Sequence, residues 1–363
     1  MSLRVFARRH DKAIQKQRLE TQMFWTASFL AVTQSASIRT TKQMTSIIPL
    51  ILLAIGFAAL ILGANWLVNG ATSIGIRAKL SPLIIGLTIV AFGTSLPEMI
   101  VNVFSCAKGS PGLAIGNIVG SNTMNILLIL GVSAMIWPID VTRVSIRRDI
   151  PIGFLATLTI FLMANDFFLS KDDVVDVNWI EGIILLLMGF CCLLLTFRSK
   201  SDVPVIEEDQ NPMSWGRTIL DLVLGIAGLY AGGELVSNNA QILARTWGMS
   251  ESTIGLTVVA TATSLPELIT SVVAAIKKNS GIAIGNVLGS NIINIFMVLG
   301  VSALITPLPF DPMMNQQLLI LFGANCLMLL FVFTGKGRMI SRWEGLFLTL
   351  GYIGFMWFSL SVK

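Results

Sequence analysis

The sequence predicts an all-α polytopic membrane protein: ten transmembrane helices built as two inverted five-helix repeats. Three observations carry that prediction. Of the 363 residues, 54% are hydrophobic and only 12% charged, where soluble domains run near a quarter charged. Apolar runs of about 20 residues, the length that crosses a bilayer, recur along the chain, with the charges gathered between them. Residues 80–139 also align without a gap on 249–308 at a constant offset of 169, with roughly half the positions identical.

Residues 1–43 differ from the rest. They carry Arg4, Arg8, Arg9, Lys12, Lys16, Arg18, Arg39 and Lys42, and their one apolar patch, MFWTASFLAV, is too short to span. A basic tail is expected here, either disordered or the product of an upstream start, because Met44 opens directly onto the first full span. A cleaved leader, with QSAS as a poor cleavage site, and an amphipathic surface segment are the rival readings. Five spans follow in a first repeat over 44–197, near 46–75, 82–107, 112–136, 150–167 and 178–197. A polar cytoplasmic linker, 198–213, separates them from a second repeat over 214–363, with spans near 215–243, 250–277, 281–305, 316–333 and 342–360.

Lipid demands hydrophobicity, which any order of Leu, Ile and Val satisfies, and it does not demand the same Thr, Ser, Pro, Glu, Gly and Asn in the same places. The likeness therefore reflects duplication of a functional half. Five spans per half is odd, so the second half enters the membrane from the opposite side, an arrangement that transporters use. Loop charges agree: placing the odd-to-even loops inside puts Arg77, Lys79, Arg143, Arg147, Arg148, Arg198, Lys200, Arg217, Lys277, Lys278, Lys336, Arg338 and Arg342 there. The acidic loop with Asp166, Asp172, Asp173 and Asp176 then lies outside, as the positive-inside rule permits.

Composition also excludes functions. The net charge of +5 is spread over loops and forms no nucleic-acid face. Cys106, Cys191, Cys192 and Cys326 all fall in apolar spans without metal-ligand spacing and read as small core residues. The one histidine, His10, lies in the tail, so imidazole metal sites and Ser-His-Asp catalysis are hard to build. No cofactor is expected.

The chemistry lies in what the two halves share. AFGTSLPEMI (91–100) and TATSLPELIT (261–270) both contain Thr-Ser-Leu-Pro-Glu. Glu98 and Glu267 fall within spans, where an ionisable residue is expensive and marks function. Pro97 and Pro266 are expected to kink their helices and free carbonyl oxygens about four residues earlier, tolerable at membrane depth only where backbone lines a cavity. Those carbonyls, the hydroxyls of Thr94, Ser95, Thr263 and Ser264, and two carboxylates make an all-oxygen cage. Hard cations such as calcium take six to eight oxygens, and two carboxylates balance one divalent charge.

A second repeated element, GNIVGSNTMN (116–125) and GNVLGSNIIN (285–294), adds Ser121, Asn125, Ser290 and Asn294. Serine and asparagine four apart share a helix face, and amides repeated inside lipid need polar partners, which favours coordination. Gly116, Gly120, Gly285 and Gly289 are read mainly as close-packing positions. Asn65 and Glu234 obey the same offset; Glu234 either lines the ion path or sits in water near the interface.

At these residues the sequence resembles the sodium/calcium exchanger family of the cation/calcium antiporter superfamily, whose two alpha-repeats carry G-T-S-L-P-E and G-N-x-x-G-S-N-x-x-N/D. The likeness is to bacterial inner-membrane members without a large regulatory loop, and covers residue 44 to the end. It implies a ten-helix fold in which spans 1 and 6 slide over a core of spans 2–5 and 7–10. It implies a calcium position formed by Glu98, Glu267, Thr94 and Thr263. Flanking sodium positions would use Ser95, Ser121 and the Ala91 carbonyl, and Ser264, Ser290 and the Ala260 carbonyl. Two departures stand out: Asn294 occupies a place where many members have Asp, and Ala262 replaces the glycine matching Gly93. The first bears on sodium stoichiometry and on potassium and proton dependence.

The function expected is secondary exchange of calcium for sodium by alternating access, with both ions and the lipid bilayer as partners and no nucleic acid. Calcium/proton exchange is the alternative, since glutamates carry protons as well as metal; the paired hydroxyls favour sodium. An intramembrane hydrolase lacks an activated serine in this sequence, and a passive channel fits broken helices and inverted repeats less well.

Overall fold

The structure, a computed structural model, describes residues 47–109, 111–163, 165, 176–198, 212–248, 260–310, 314–334 and 337–361. The basic tail and most of the linker expected at 198–213 lie outside the described residues. Leu52–Lys363 form one compact unit. The chain up to Ile51 is a separate unit, described only over 47–51, the opening of the first helix.

The described residues are overwhelmingly helical. The first half contains α1 (Ile47–Ala78), α2 (Pro82–Thr94), α3 (Leu96–Ala107), α4 (Gly112–Met124, continuing through Asn125–Ile129 into Leu130–Ile136), α5 (Ile150–Met163) and α6 (Trp179–Arg198). The second contains α7 (Trp215–Thr246), α8 (Ala260–Thr263), α9 (Leu265–Ile276), α10 (Ser280–Ile305), α11 (Met314–Thr334) and α12 (Arg342–Ser361). Among the described residues six helices are long and apolar enough to cross a membrane: α1, α4, α6, α7, α10 and α11. The bent pair α2–α3 makes a seventh. Of the remaining expected spans, α5 has 14 residues and continues back through the turn Ser145–Asp149, α12 has 20, α9 has 12, too short to cross alone, and part of the span expected at 250–277 lies outside the described residues.

The two prolines do not act as expected. Pro97 and Pro266 each stand in the first turn of a new helix, α3 and α9, where the missing N–H costs nothing. The break falls two residues earlier, at Ser95 (φ −84°, ψ 2°) and Ser264 (φ −91°, ψ 6°). The α2–α3 bend is 42°. Each glutamate therefore lies in the first turn of a helix, at the positive end of its dipole. Instead of a kinked continuous helix, each motif makes a helix–serine–helix joint.

Among the described residues four π-helical turns interrupt the helices, at Gly86–Val90, Asn125–Ile129, Ser145–Asp149 and Asn294–Val298. Those in α4 and α10 begin at the repeated asparagines. Such single turns often mark functional positions because the extra residue re-aims side chains.

The halves interlock through close helix contacts. A Cβ on Gly285 of α10 would lie 2.7 Å from the Leu83 carbonyl oxygen and 2.9 Å from the Gly86 Cα, so only glycine lets α10 lie against α2. A Cβ on Gly63 of α1 would lie 2.7 Å from the Leu229 nitrogen of α7, placing these two 32-residue helices in backbone contact. Two short antiparallel ribbons join loops of opposite halves: β1 (Ile139–Asp140) pairs Ile139 with Ile340 of β4 (Met339–Ile340), and β2 (Asp176–Val177) pairs Val177 with Leu308 of β3 (Leu308–Pro309).

The cysteines divide. Cys106 and Cys192 are buried, but Cys191 and Cys326 are exposed on apolar helices, which corrects their reading as four core residues. In a membrane-spanning helix the lipid-facing side is as apolar as the core, so hydrophobicity alone cannot tell the two apart.

Candidate functional site

The break between α2 and α3, the break between α8 and α9, and the centres of α4 and α10 converge. Thr94, Ser95, Glu98, Ser121, Asn125, Thr263, Ser264, Glu267, Ser290 and Asn294 are all buried, the most accessible being Thr263 at 7%. Ser95 Oγ donates to Glu267 Oε1 at 3.0 Å across the two halves. The side chains that approach Glu98 include Glu267 and Ser264, and both Glu98 carboxylate oxygens are buried without a donor that meets them in hydrogen-bonding geometry. Glu267 Oε2, Ser264 Oγ, Asn125 Oδ1 and Asn294 Oδ1 share that condition. Among the described residues neither glutamate has an ion-pair partner.

Leaving six polar oxygens and up to two charges buried and unmatched is costly, several kcal/mol for a single uncompensated ion. A cation, or protons, must supply the balance. The donor set is oxygen throughout, and among the described residues no cluster of three or more His, Cys, Asp or Glu forms. The chemistry fits a hard cation.

The hydroxyls are aimed. Thr94 Oγ1 donates toward Asn286 Oδ1 (3.1 Å) and the Ala91 carbonyl (3.2 Å) and lies 3.5 Å from Ser290 Oγ. The Ala91 carbonyl also accepts from the Ser95 N–H at 3.0 Å, so it is less free than a proline kink would leave it. Thr263 Oγ1 donates to Asn117 Oδ1 at 3.5 Å. Ser121 Oγ donates to the Ile118 carbonyl (3.1 Å) and accepts from Asn294 Nδ2 (3.3 Å). Ala260 opens the described part of α8.

A lattice of amides stands behind these groups, and its bonds among Asn122, Asn125, Asn291 and Asn294 pair up at the 169-residue offset. Asn122 Nδ2 donates to the Asn291 carbonyl at 3.2 Å and Asn291 Nδ2 returns the bond to the Asn122 carbonyl at 3.3 Å. Asn125 Nδ2 donates to Asn291 Oδ1 (2.9 Å), and Asn294 Nδ2 to Asn122 Oδ1 (3.1 Å). Asn117, Asn122, Asn286 and Asn291 stand inside the repeated G-N-x-x-G-S-N motif, yet sequence reasoning assigns them no role. Their repetition is the available signal. Asn102 and Ser271, which differ between the halves, carry none.

The flanking expectations resolve unevenly. Glu234 is exposed and accepts from Asn238 Nδ2 at 3.1 Å, and Asn65 bonds its own helix at the Ile61 carbonyl, 2.9 Å away; neither reaches the cluster. Gly285 and Gly289 are packing positions against α2. Opposite Gly116 stands only the flexible end of Met314, and residues 249–259, which the offset would set against α4, lie outside the described residues. A Cβ on Gly93 would meet Ile226 and Leu67 at an ordinary 3.5 Å, so the alanine at 262 carries no steric penalty by analogy.

Fold and site together define a multi-span membrane protein with a buried, two-carboxylate, all-oxygen cluster. The chain belongs to the sodium/calcium exchanger protein family, which it matches over residues 48–198 and 218–361. It is 36% identical over 321 residues to the putative antiporter CaxA of Alkalimonas amylolytica, covering 86% of this chain and 98% of that one. It is 29% identical to the sodium/calcium exchanger MaX1 of Methanosarcina acetivorans, over 84% of this chain and 97% of the relative. Among solved structures it resembles the sodium-calcium exchanger NCX_Mj, with a TM-score of 0.74 and 31% identity over 88% of this chain and 99% of that chain. It is thus a cation/calcium exchanger-family transporter.

Proposed function

We propose that the protein is a secondary calcium/sodium antiporter of a bacterial inner membrane, exchanging the two ions by alternating access at the Glu98–Glu267 cluster. The observation that carries this reading is the meeting, from opposite halves, of two buried carboxylates without basic partners. Calcium binds between Glu98, Glu267, Thr94 and Thr263, where two carboxylates cancel the charge of one divalent ion. Sodium binds in flanking positions at Ser95, Ser121 and the Ala91 carbonyl, and at Ser264, Ser290 and the Ala260 carbonyl, with Asn125 and Asn294 adding amide oxygens.

Both kinds of ion use the glutamates, so one displaces the other. The empty site holds two buried negative charges, which resist transfer through a low-dielectric core; the loaded site does not. That difference couples the fluxes. The reading includes ten spans in two inverted repeats, 44–197 and 214–363, joined by a cytoplasmic linker. The reciprocal Asn122–Asn291 bonds at the 169-residue offset support a two-fold relation between the halves. In the same reading α1 and α7, in mutual backbone contact, slide together over the remaining helices.

Radioactive calcium uptake into proteoliposomes loaded with sodium tests it, with a pH gradient replacing the sodium gradient in a parallel arm. Uptake that requires internal sodium and vanishes in Glu98→Gln and Glu267→Gln is the expected result. Uptake driven equally by protons would replace sodium with the proton as counter-ion. Undiminished uptake in both variants would remove the glutamates from the site.

A further inference from the structure

Asn286, so far without a role, touches members of the cluster from both halves. It is fully buried on α10, its Nδ2 donating to the backbone carbonyl of Glu267 (3.3 Å) and to Ser271 Oγ (2.9 Å) on α9. Its Oδ1 accepts from Thr94 Oγ1 of α2 at 3.1 Å. A backbone carbonyl accepts only, so the amide nitrogen must lie on the Glu267 side and the oxygen on the Thr94 side. The side chain cannot flip without placing two acceptors against each other.

That fixed amide fixes a hydroxyl. Thr94 has one proton, and its two closest polar partners, Asn286 Oδ1 and the Ala91 carbonyl, are both pure acceptors. The Glu267 carboxylate, which Thr94 also approaches, competes for the same proton; with the proton held by either of the closer acceptors, the oxygen lone pairs are left for another partner. An unconstrained threonine would instead turn its proton to the nearest carboxylate, presenting a positive hydrogen where a cation must bind.

We propose that Asn286 is the positioning residue of the cation site: it holds Thr94 as an acceptor and seats the backbone of Glu267, so one side chain orients one ligand from each half. The counterpart Asn117 does the same for Thr263 more loosely, accepting at 3.5 Å and donating to Asn102 Oδ1 at 3.4 Å. The inference rests on the exchanger reading above and specifies how its site is pre-organised.

The test uses the full-length chain in proteoliposomes, with calcium uptake driven by internal sodium. Asn286→Leu, nearly the same volume, should raise the apparent calcium KM by about tenfold with the maximal rate within about twofold, as expected for loss of ground-state positioning. Adding Thr94→Val to Asn286→Leu should worsen KM by less than about twofold, because the two act as a unit. The ratio of strontium to calcium KM should move as well, which a general loss of stability would not produce. Should Asn286→Leu not reach the membrane folded, Ser271→Ala removes the partner that orients the amide and should raise KM about two- to threefold. Additive effects of Asn286 and Thr94, or a fall in rate at constant KM, would overturn the inference. Absence of sodium-dependent uptake in the wild type would overturn the exchanger reading instead.

Discussion

The layer of buried carboxylates and hydroxyls and the layer behind it have fared differently since the two halves diverged. In the first layer the halves match residue for residue, Thr94-Ser95-Glu98 against Thr263-Ser264-Glu267. In the second, Asn102 faces Asn117 in one half while Ser271 faces Asn286 in the other, and the bonds run 3.4–3.5 Å against 2.9–3.1 Å. The short serine hydroxyl lets Asn286 approach α9 closely enough to reach the Glu267 carbonyl as well. The bulkier Asn102 leaves its own Nδ2 buried without a hydrogen-bond partner. The repeated side chains at the centre are equal in the two halves; their support is not.

The largest expected effect tests the equal layer. Glu98→Gln and Glu267→Gln should each reduce calcium transport on the order of 100-fold or more, about the 3–4 kcal/mol that one charge contributes at an effective dielectric near 20. A large difference between the two would break the equivalence of the halves.

Next in size is a packing contrast. Gly285→Ala drives a Cβ to 2.7 Å from backbone oxygen, whereas a Cβ on Gly93 would meet Ile226 and Leu67 at an ordinary 3.5 Å. Gly285→Ala should cost about 1–3 kcal/mol by overpacking, read as a lowered Tm in detergent, and Gly93→Ala much less. Equal losses would show that the close backbone approach at Gly285 carries no special cost.

The unequal layer gives the finer tests. Asn117→Leu should raise calcium KM only two- to threefold, against about tenfold for Asn286→Leu, because longer hydrogen bonds hold less. The smallest effect is expected of Asn102→Ala, under about twofold in KM, since its bond to Asn117 is long and its own amide nitrogen is unmatched. Measured KM values for Asn117 and Asn286 variants that coincide would erase the asymmetry.

Much of the site is legible in the chain itself. Duplication of polar residues in apolar surroundings has no cause in lipid solvation, so the repeat points to Glu98, Glu267 and their hydroxyl neighbours, and the ten side chains it singles out at the cluster are all buried there. The joints escape sequence reasoning for a local reason: proline forbids a hydrogen bond inside a helix but suits its first turn, and sequence alone does not say which situation holds. Asn286 escapes it because its partners are 19 and 192 residues away, and no short-range spacing relates them.

The sequence by itself determined the helices, the repeat and the all-oxygen chemistry, because apolar runs, the 169-residue offset and residue type are properties of the chain read along its length. Only the tertiary structure decided that the helices restart at Ser95 and Ser264, that Glu98 and Glu267 meet, and which way the Asn286 amide faces. Those outcomes depend on contacts between segments far apart in the chain, and the requirement that buried polar atoms find partners is settled only when both segments are in place.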